Sequence, residues 1–336
     1  RSGRLTKDPA GALEDVKMGM DMMRRGKISF LPHIAHPPKN PARRTPRDNE
    51  MMLYPGCSFH STAAEFGKST EAVMEALDLE IIEPEGWICC GSSPGHKIDH
   101  HQAVKMPLET LAVIEKMGYN QVAVPCAACF NRFKAAVHDL RRDNALRESL
   151  SKEMSYAYQD SVQISDMVDA LINKVGLDAI RERVTKPLTG LKVVPYYGCL
   201  MTRMPEVTEA PNPENPTHMD ALVEALGAEV LDWSDKTRCC GGTHSLTRPD
   251  IVINLSGDLV SNARAAGADA VVVACPLCHA NLDARQAQMK GIDQPMPILY
   301  FTQLMAIAFG LDEKAAALRK NLVDPRPVLA ALSLIG

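Results

Sequence analysis

The sequence predicts an α/β fold built from two tandem copies of one unit, each a small, mainly parallel sheet flanked by helices. Three observations lead to this prediction. Five cysteines recur in the same order in each half of the 336-residue chain, the residues around them also repeat, and each half alternates strand-like with helix-like segments. Because cysteines follow the strand-like segments, we expect them at the carboxyl ends of the strands, where α/β sheets usually bind ligands.

The cysteine pattern is a single cysteine, then an adjacent pair followed by glycine, then a C-x-x-C motif. The intervening segments have 31 and 35 residues in the first half, and 39 and 34 in the second. The first cysteine set is Cys57, Cys89, Cys90, Cys126 and Cys129, and the second cysteine set is Cys199, Cys239, Cys240, Cys275 and Cys278. No cysteine is left over, so the pattern has been duplicated as a unit.

The flanking sequence repeats as well. LYPGC ending at Cys57 matches YYGC ending at Cys199, and ALDLEIIE at 76–83 matches ALGAEVLD at 225–232. MGYNQVAVPCAAC at 117–129 matches AGADAVVVACPLC at 266–278 without a gap. Each copy therefore spans about 100 residues, the size of a small domain.

The predicted elements follow the same order in each copy. In the first copy MLYPGC, EIIEP and QVAVPC are predicted strands, and STEAVMEALDLE, LETLAVIEKMG and AACFNRFKAAVHDL are predicted helices. Gly118 is expected to close the second of these helices. In the second copy AVVVAC leads into a helix whose first turn contains Pro276, a favoured position for proline.

We divide the chain into five segments. They are a helix with a basic, Pro-rich tether (1–50), the first copy (51–150), a helical connector (151–190), the second copy (191–310) and a C-terminal tail (311–336). Because the chain begins at Arg1 without an initiator methionine, we expect it to be a processed or truncated piece.

Composition excludes several functional classes. The net charge of −4 and pI near 6.2 give no electrostatic footprint for nucleic acid. No apolar run reaches the length of a membrane span and no secretory signal opens the chain, so a soluble cytoplasmic protein is expected. No G-x-G-x-x-G motif follows a predicted strand, which argues against flavin or NAD on this chain.

The chemistry of ten cysteines in such a chain has several interpretations. Structural disulfides are unusual in the cytosol, and adjacent cysteines are strained partners. A zinc ion held by the two C-x-x-C motifs would leave the adjacent pairs unexplained, and inert buried thiols would not recur in order. An iron–sulfur cluster offers several irons, so neighbouring cysteines can bind different ones. Five ligands per copy also exceed the four that a cubane cluster requires.

The two complete motifs, with the phrases YPGCSFHSTA, PCAACFNR, YYGCL and ACPLCHANLD, resemble the paired CCG domains of the heterodisulfide reductase B-subunit family over roughly residues 52–310. The resemblance implies one noncubane 4Fe–4S cluster on each cysteine set. It further implies that a disulfide enters between the two clusters, and that each cluster supplies one electron to one substrate sulfur.

The resemblance also implies partners. Electrons would arrive from a flavin-containing (FAD) A-type partner through the cubane 4Fe–4S clusters of a C-type partner, as in methanogenesis, and any membrane contact would be made through partners. Residues 1–50 look similar to the C-terminal tail of the C-type partner, so the chain is predicted to derive from a C–B fusion or to begin with a simple docking arm. No ferredoxin-type motif accompanies this segment.

Two other functions stay open from the sequence. One is a quinone-linked electron-transfer subunit of a CCG-type succinate dehydrogenase or fumarate reductase. The other is a cluster-bearing scaffold within a larger complex, against which the complete ligand sets argue.

Several polar residues near the cysteines are secondary candidates. His60, His244 and His279 lie within a few residues of a cysteine and could protonate a departing thiolate, or could be ordinary hydrogen-bonding histidines. Cationic side chains that could hold an anionic disulfide, or simply be solvated, are Lys97, Arg132, Arg203 and Arg238. The stretch GHKIDHH at 95–101 is interpreted as a solvated turn rather than a substrate loop.

Overall fold

The computed structural model describes residues 41–92, 95, 99–245 and 247–336. Most of the predicted N-terminal helix and tether, and Lys97, lie outside the described residues. Among the described residues, no helix combines the length and apolar character needed to cross a bilayer.

The elements of the first copy are β1 Glu50–Met52, α1 Gly56–Phe59, α2 Ala64–Ala76, β2 Glu80–Ile82, α3 His100–Met117, β3 Gln121–Val124, α4 Ala127–Arg142, α5 Asn144–Glu153, β4 Gln163–Asp166, α6 Met167–Val175 and α7 Leu177–Glu182. Gly118 ends α3 in a left-handed conformation, as predicted.

The elements of the second copy are β5 Lys192–Tyr196, α8 Pro205–Thr208, α9 His218–Ala225, β6 Glu229–Val230, α10 Pro249–Ala265, β7 Ala270–Val273, α11 Pro276–Ala284, β8 Ile298–Tyr300 and α12 Phe301–Ala308, and the C-terminal tail contains α13 Arg326–Ala331. Short 3₁₀ helices cover Cys199–Met201, Gly242–Ser245, Gln286–Gln288 and Leu318–Lys320. Pro276 opens α11, as predicted.

Both copies have the same parallel sheet. In the second copy the strand order is β6-β5-β7-β8. In the first copy β1 pairs with β2 and β3 pairs with β4, and a parallel bridge between Leu53 and Ala123 joins the two halves, giving the order β2-β1-β3-β4. The α/β fold with small parallel sheets flanked by helices is thus confirmed.

The sheet of the first copy reaches further along the chain than the predicted first domain. Its last strand, β4, lies at 163–166, within the segment for which the sequence predicted a helical connector. The strand register makes the two copies directly comparable, because Asp166 lies opposite Val124 in the first copy and Tyr300 lies opposite Val273 in the second.

The copies exchange helix contacts, so that they pack as one body. Helix α2 of the first copy packs against α12 of the second, where the Phe66 and Tyr300 rings stack with centroids 4.3 Å apart and Ser69 Oγ lies 2.7 Å from Thr302 Oγ1. Helix α9 of the second copy packs in turn against α6 and α7 of the first. This reciprocal packing fixes the two cysteine-bearing edges relative to each other.

One contact of this interface is expected to make stability depend on pH. Asp166 is buried, accepts hydrogen bonds from the Val168 and Asp169 amides, and has His218 Nε2 3.6 Å from its carboxylate. Burial raises the pKa of Asp166 to about 6. The folded state therefore binds a proton more tightly than the unfolded chain, and the associated stability is present at low pH and lost as the pH rises through about 6.

We expect Asp166→Asn to remove this pH-dependent loss in the free energy of unfolding, which is on the order of 2 to 3 kcal/mol. The amide oxygen of the asparagine still caps α6. The measurement is the urea-unfolding midpoint of the variant and the unchanged chain from about pH 4 to about pH 7.5. Asp178→Asn, at an exposed residue of α7, is the matched control. Parallel profiles for Asp166→Asn and the unchanged chain would contradict the assignment.

Candidate metal centre

The ten cysteines lie at the carboxyl edges of the two sheets, and all ten are free thiols. Cys57 follows β1 within α1, and Cys199 follows β5 at the start of a 3₁₀ helix. Cys126 and Cys275 are the N-cap residues of α4 and α11. Helix N-termini stabilise negative charge, so the C-x-x-C motifs occupy positions that favour thiolates.

The two cysteines of each adjacent pair contact different cysteines of their set. Cys89 and Cys239 are exposed, whereas Cys90 and Cys240 are buried. The buried members approach the second cysteine of the C-x-x-C motif, with Sγ–Sγ distances of 3.1 Å for Cys90–Cys129 and 3.6 Å for Cys240–Cys278. The exposed members contact the single cysteines, Cys89 with Cys57 and Cys239 with Cys199. Each adjacent pair thus connects the single cysteine of its set to the C-x-x-C motif.

The two cysteine sets meet in the interior. The Cys126 thiol of the first copy interacts with the Cys275 thiol of the second. Cys275 is buried and Cys126 is partly exposed, whereas Cys57, Cys89 and Cys239 face solvent. Sequence spacing predicted two separate sets at strand ends but gave no sign of this contact.

Glycines keep space open beside the C-x-x-C sulfurs. Gly56 and Gly198 precede the single cysteines and have positive φ angles of 62° and 70°. A Cβ atom added at these glycines would lie 3.4 Å from Cys129 Sγ and 3.0 Å from Cys278 Sγ. A side chain at either glycine would therefore crowd the second sulfur of the C-x-x-C motif.

Two tyrosines, which the sequence analysis missed, hold the adjacent cysteines in place. The buried Tyr54 hydroxyl donates to the carbonyl of Ile88 (2.9 Å), and the buried Tyr196 hydroxyl donates to that of Arg238 (2.6 Å). In each copy this carbonyl belongs to the residue just before the cysteine pair. The signal that could have revealed these tyrosines is their shared position three residues before the single cysteine.

In the contacts of Cys90 with Cys129 and of Cys239 with Cys199, the thiol–thiol interaction lowers the pKa of the first cysteine and raises that of the second. The pKa of Cys90 is well below its usual value because the thiols of Cys129 and then Cys89 interact with it. The Cys199 thiol lowers the pKa of Cys239 to about 6. The Gly91 and Gly241 amides also donate to Cys89 Sγ (3.4 Å) and Cys239 Sγ (3.3 Å). Free thiols gathered within contact distance and N–H donors to sulfur fit a thiolate-bound metal cluster.

The three histidine candidates occupy different environments. His60 lies at the surface, 2.7 Å from Glu83, which raises its pKa through a hydrogen bond. His244 lies on the 3₁₀ helix after the second cysteine pair, close to Cys239. His279 is buried, with Nε2 3.0 Å from the Ile298 carbonyl, and so matches the hydrogen-bonding histidine left open by the sequence.

The arginine candidates are engaged in local contacts. Arg203 pairs with Glu214 (2.8 Å), Arg238 pairs with Asp258 (2.6 Å), and Arg132 donates to Asn131 Oδ1 (3.0 Å). Asn131 links the copies, since its amide donates to the carbonyl of Arg203 at 2.7 Å. These contacts favour surface or structural roles over direct capture of an anion.

Comparison with known proteins identifies the family. The cysteine-rich domain of the CCG family matches residues 51–134 and 193–283. The chain belongs to the CCG family. It carries the CCG domain twice, and its relatives include the B subunits of heterodisulfide reductases.

Two relatives of this CCG protein illustrate the range of the family. It is 29% identical to an 8-methylmenaquinol:fumarate reductase membrane anchor subunit of Wolinella succinogenes, covering 82% of this chain and 97% of the relative. It is 27% identical to the B subunit of a ferredoxin/F(420)H(2)-dependent CoB-CoM heterodisulfide reductase of Methanosarcina acetivorans, covering 84% and 97%.

A solved structure shares the fold. A hypothetical protein from Helicobacter pylori superposes with a TM-score of 0.67 at 12% identity, covering 95% of this chain and 58% of that one. Together, the CCG domains and the relatives support an iron–sulfur electron-transfer role in a multi-subunit reductase.

Proposed function

We propose that the chain is the disulfide-reducing subunit of a heterodisulfide reductase-like complex. The observation that carries the proposal is the meeting of two complete five-cysteine sets at one place, through Cys126 and Cys275. Each set would hold a noncubane 4Fe–4S cluster, and a bound cluster supplies one electron at a time. Two such centres side by side match a disulfide, whose cleavage consumes two electrons and two protons and releases two thiols.

The protein's own residues have separable tasks in this proposal. The five cysteines of each set would bind one cluster, with the adjacent pair joining the exposed single cysteine to the buried C-x-x-C motif. Tyr54 and Tyr196 fix the backbone before each pair. The exposed Cys57, Cys89 and Cys239 mark the side from which a substrate would approach. The electrons would come from a C-type partner with cubane clusters, fed by a flavin-bearing A-type partner.

A second function has its own support. The similarity to the fumarate reductase membrane anchor subunit extends over 97% of that relative, so a quinone-linked electron-transfer subunit is the alternative. In that case the same two clusters would exchange electrons with a quinone rather than a disulfide.

The experiment that separates the two functions is re-oxidation of the dye-reduced, anaerobically purified protein. Coenzyme M–coenzyme B heterodisulfide and a menaquinone analogue are added in parallel, and cluster re-oxidation is followed by absorbance. We expect rapid oxidation by the disulfide with release of two thiols per disulfide. Oxidation by the quinone alone would overturn the proposal and establish the alternative.

A single-cluster control sharpens this test. If each cluster supplies one electron, Cys90→Ser protein should still accept an electron from the dye but should fail to release thiols from the disulfide. Full disulfide turnover by Cys90→Ser protein would show that the cluster of the first copy is not required for the reaction.

A further inference from the structure

The ACPLCHANLD motif contains a side chain that the proposed function leaves unassigned. Asn281 is completely buried, three residues after Cys278 on α11. Its amide nitrogen lies 3.5 Å from Cys240 Sγ, 3.5 Å from the Cys240 carbonyl and 3.1 Å from the Gly242 carbonyl. The Gly242 amide donates to the same sulfur at 3.4 Å. Cys240 Sγ therefore receives one backbone and one side-chain N–H donor.

The first copy has a different residue at this position. Arg132 lies three residues after Cys129, as Asn281 lies three residues after Cys278. The Arg132 guanidinium donates to the neighbouring Asn131 Oδ1 at 3.0 Å. The two copies thus share their cysteines, glycines and tyrosines but differ in the side chain that follows the C-x-x-C motif on the same helix.

Hydrogen bonds to ligand sulfurs are one of the means by which proteins set iron–sulfur reduction potentials. A donor interacts more strongly with the sulfur when the cluster gains an electron and becomes more negative. The reduced state is then stabilised relative to the oxidised state, and the potential rises. In the first set the corresponding side-chain contact is different, since Ser58 Oγ lies 3.8 Å from Cys57 Sγ. Different donors at different sulfurs make two otherwise similar clusters unequal.

We propose that Asn281 is a positioning residue that raises the reduction potential of the cluster on the second cysteine set through its hydrogen bond to Cys240. This inference rests on the proposed function, because it requires a cluster on each set. It deepens that function by making the copies inequivalent, since the bond favours an electron on the second copy. Asn281 also holds the backbone of Cys240 and Gly242, so that the sulfur faces the amide.

The test is a redox titration, monitored by electron paramagnetic resonance, of the unchanged protein and Asn281→Leu. Leucine keeps the approximate volume and removes the donor. We expect the midpoint potential of the second cluster to fall by about 59 mV. For one electron this lowers the equilibrium constant for electron transfer from the first cluster to the second by about tenfold. Arg132→Leu is the matched control and should leave the second cluster's midpoint unchanged. An unchanged midpoint in Asn281→Leu protein with full iron content would overturn the inference.

If the Asn281→Leu protein fails to retain its cluster, a second measurement tests the hydrogen bond from Asn281 to Cys240. Cys90→Ser protein, in which the second cluster alone is expected, is prepared with asparagine labelled with ¹⁵N at the side-chain amide. Pulsed paramagnetic resonance of the reduced cluster should then show a ¹⁵N coupling. Absence of that coupling would contradict the hydrogen bond.

The proposed function and the role of Asn281 fail in different ways. A protein without iron, or one oxidised by quinone alone, would overturn the proposed function. Clusters that reduce the disulfide normally, with a midpoint insensitive to Asn281, would overturn this inference alone.

Discussion

Replacing Cys90 with serine should remove the first cluster and leave the second intact. Cys90 is the buried member of its pair, and its Sγ lies 3.1 Å from Cys129 Sγ. Its loss therefore breaks the contact between the adjacent pair and the C-x-x-C motif of the first set. We expect the iron content of anaerobically purified protein to fall from about eight to about four atoms per chain. The remaining cluster should keep its paramagnetic spectrum and midpoint potential.

The mirror variant Cys240→Ser supplies the matched control. It should remove the other half of the iron and leave the complementary spectrum. The sum of the two single-variant spectra should reproduce that of the unchanged protein. Loss of all iron from either variant would argue against independent sites and would make the Cys126–Cys275 contact part of one shared centre.

Replacing Gly241 with alanine should destabilise the protein far more than the equivalent change at Gly91. Both glycines follow a cysteine pair and have positive φ angles, 91° and 71°, which cost an L-residue about 1 to 2 kcal/mol. A Cβ atom at Gly241 would also lie 2.8 Å from Val252 Cγ2 and 2.9 Å from Val252 Cα, on helix α10. At Gly91 the nearest atom is the flexible Met106 Sδ, at 3.1 Å.

We therefore expect Gly241→Ala to cost about 3 kcal/mol or more, including the strain of shifting a helix backbone, and Gly91→Ala about 1 to 2 kcal/mol. The measurement is the urea-unfolding midpoint of each variant, with iron content recorded alongside. Equal urea-unfolding midpoints for the two variants would show that the contact with α10 adds nothing to the cost in stability of Gly241→Ala.

The repeated sequence predicted the parts of the fold that depend on local pattern. The strands before Cys57, Cys126 and Cys275 and the helices after them follow from alternating apolar segments and their glycine and proline boundaries. Strand β4 was missed because QISD is short and half polar, and its place in the sheet depends on pairing with β3. Local patterns carry no information about such a partner.

Cysteine spacing predicted the residue types of the site and the family resemblance predicted two neighbouring clusters, but neither predicted which thiols meet. Cysteine spacing indicated two sets of ligands. Which cysteine of each pair contacts the C-x-x-C motif and which contacts the single cysteine depends on the thiol that the fold buries. The meeting of Cys126 with Cys275 follows from the exchanged packing of α2 with α12 and of α9 with α6, contacts between residues far apart in sequence. The sequence left His279 open between a proton donor and a hydrogen-bonding histidine, and in the fold its ring is buried against the Ile298 carbonyl.

Disulfide reduction by this chain and the role of Asn281 both require that the ten cysteines hold two iron–sulfur clusters. Metal and acid-labile sulfide analysis of the chain purified without oxygen examines that requirement. We expect about eight iron atoms per chain and no stoichiometric zinc. About one zinc per chain with no iron would contradict the two clusters, because the two C-x-x-C motifs would then form a structural zinc site.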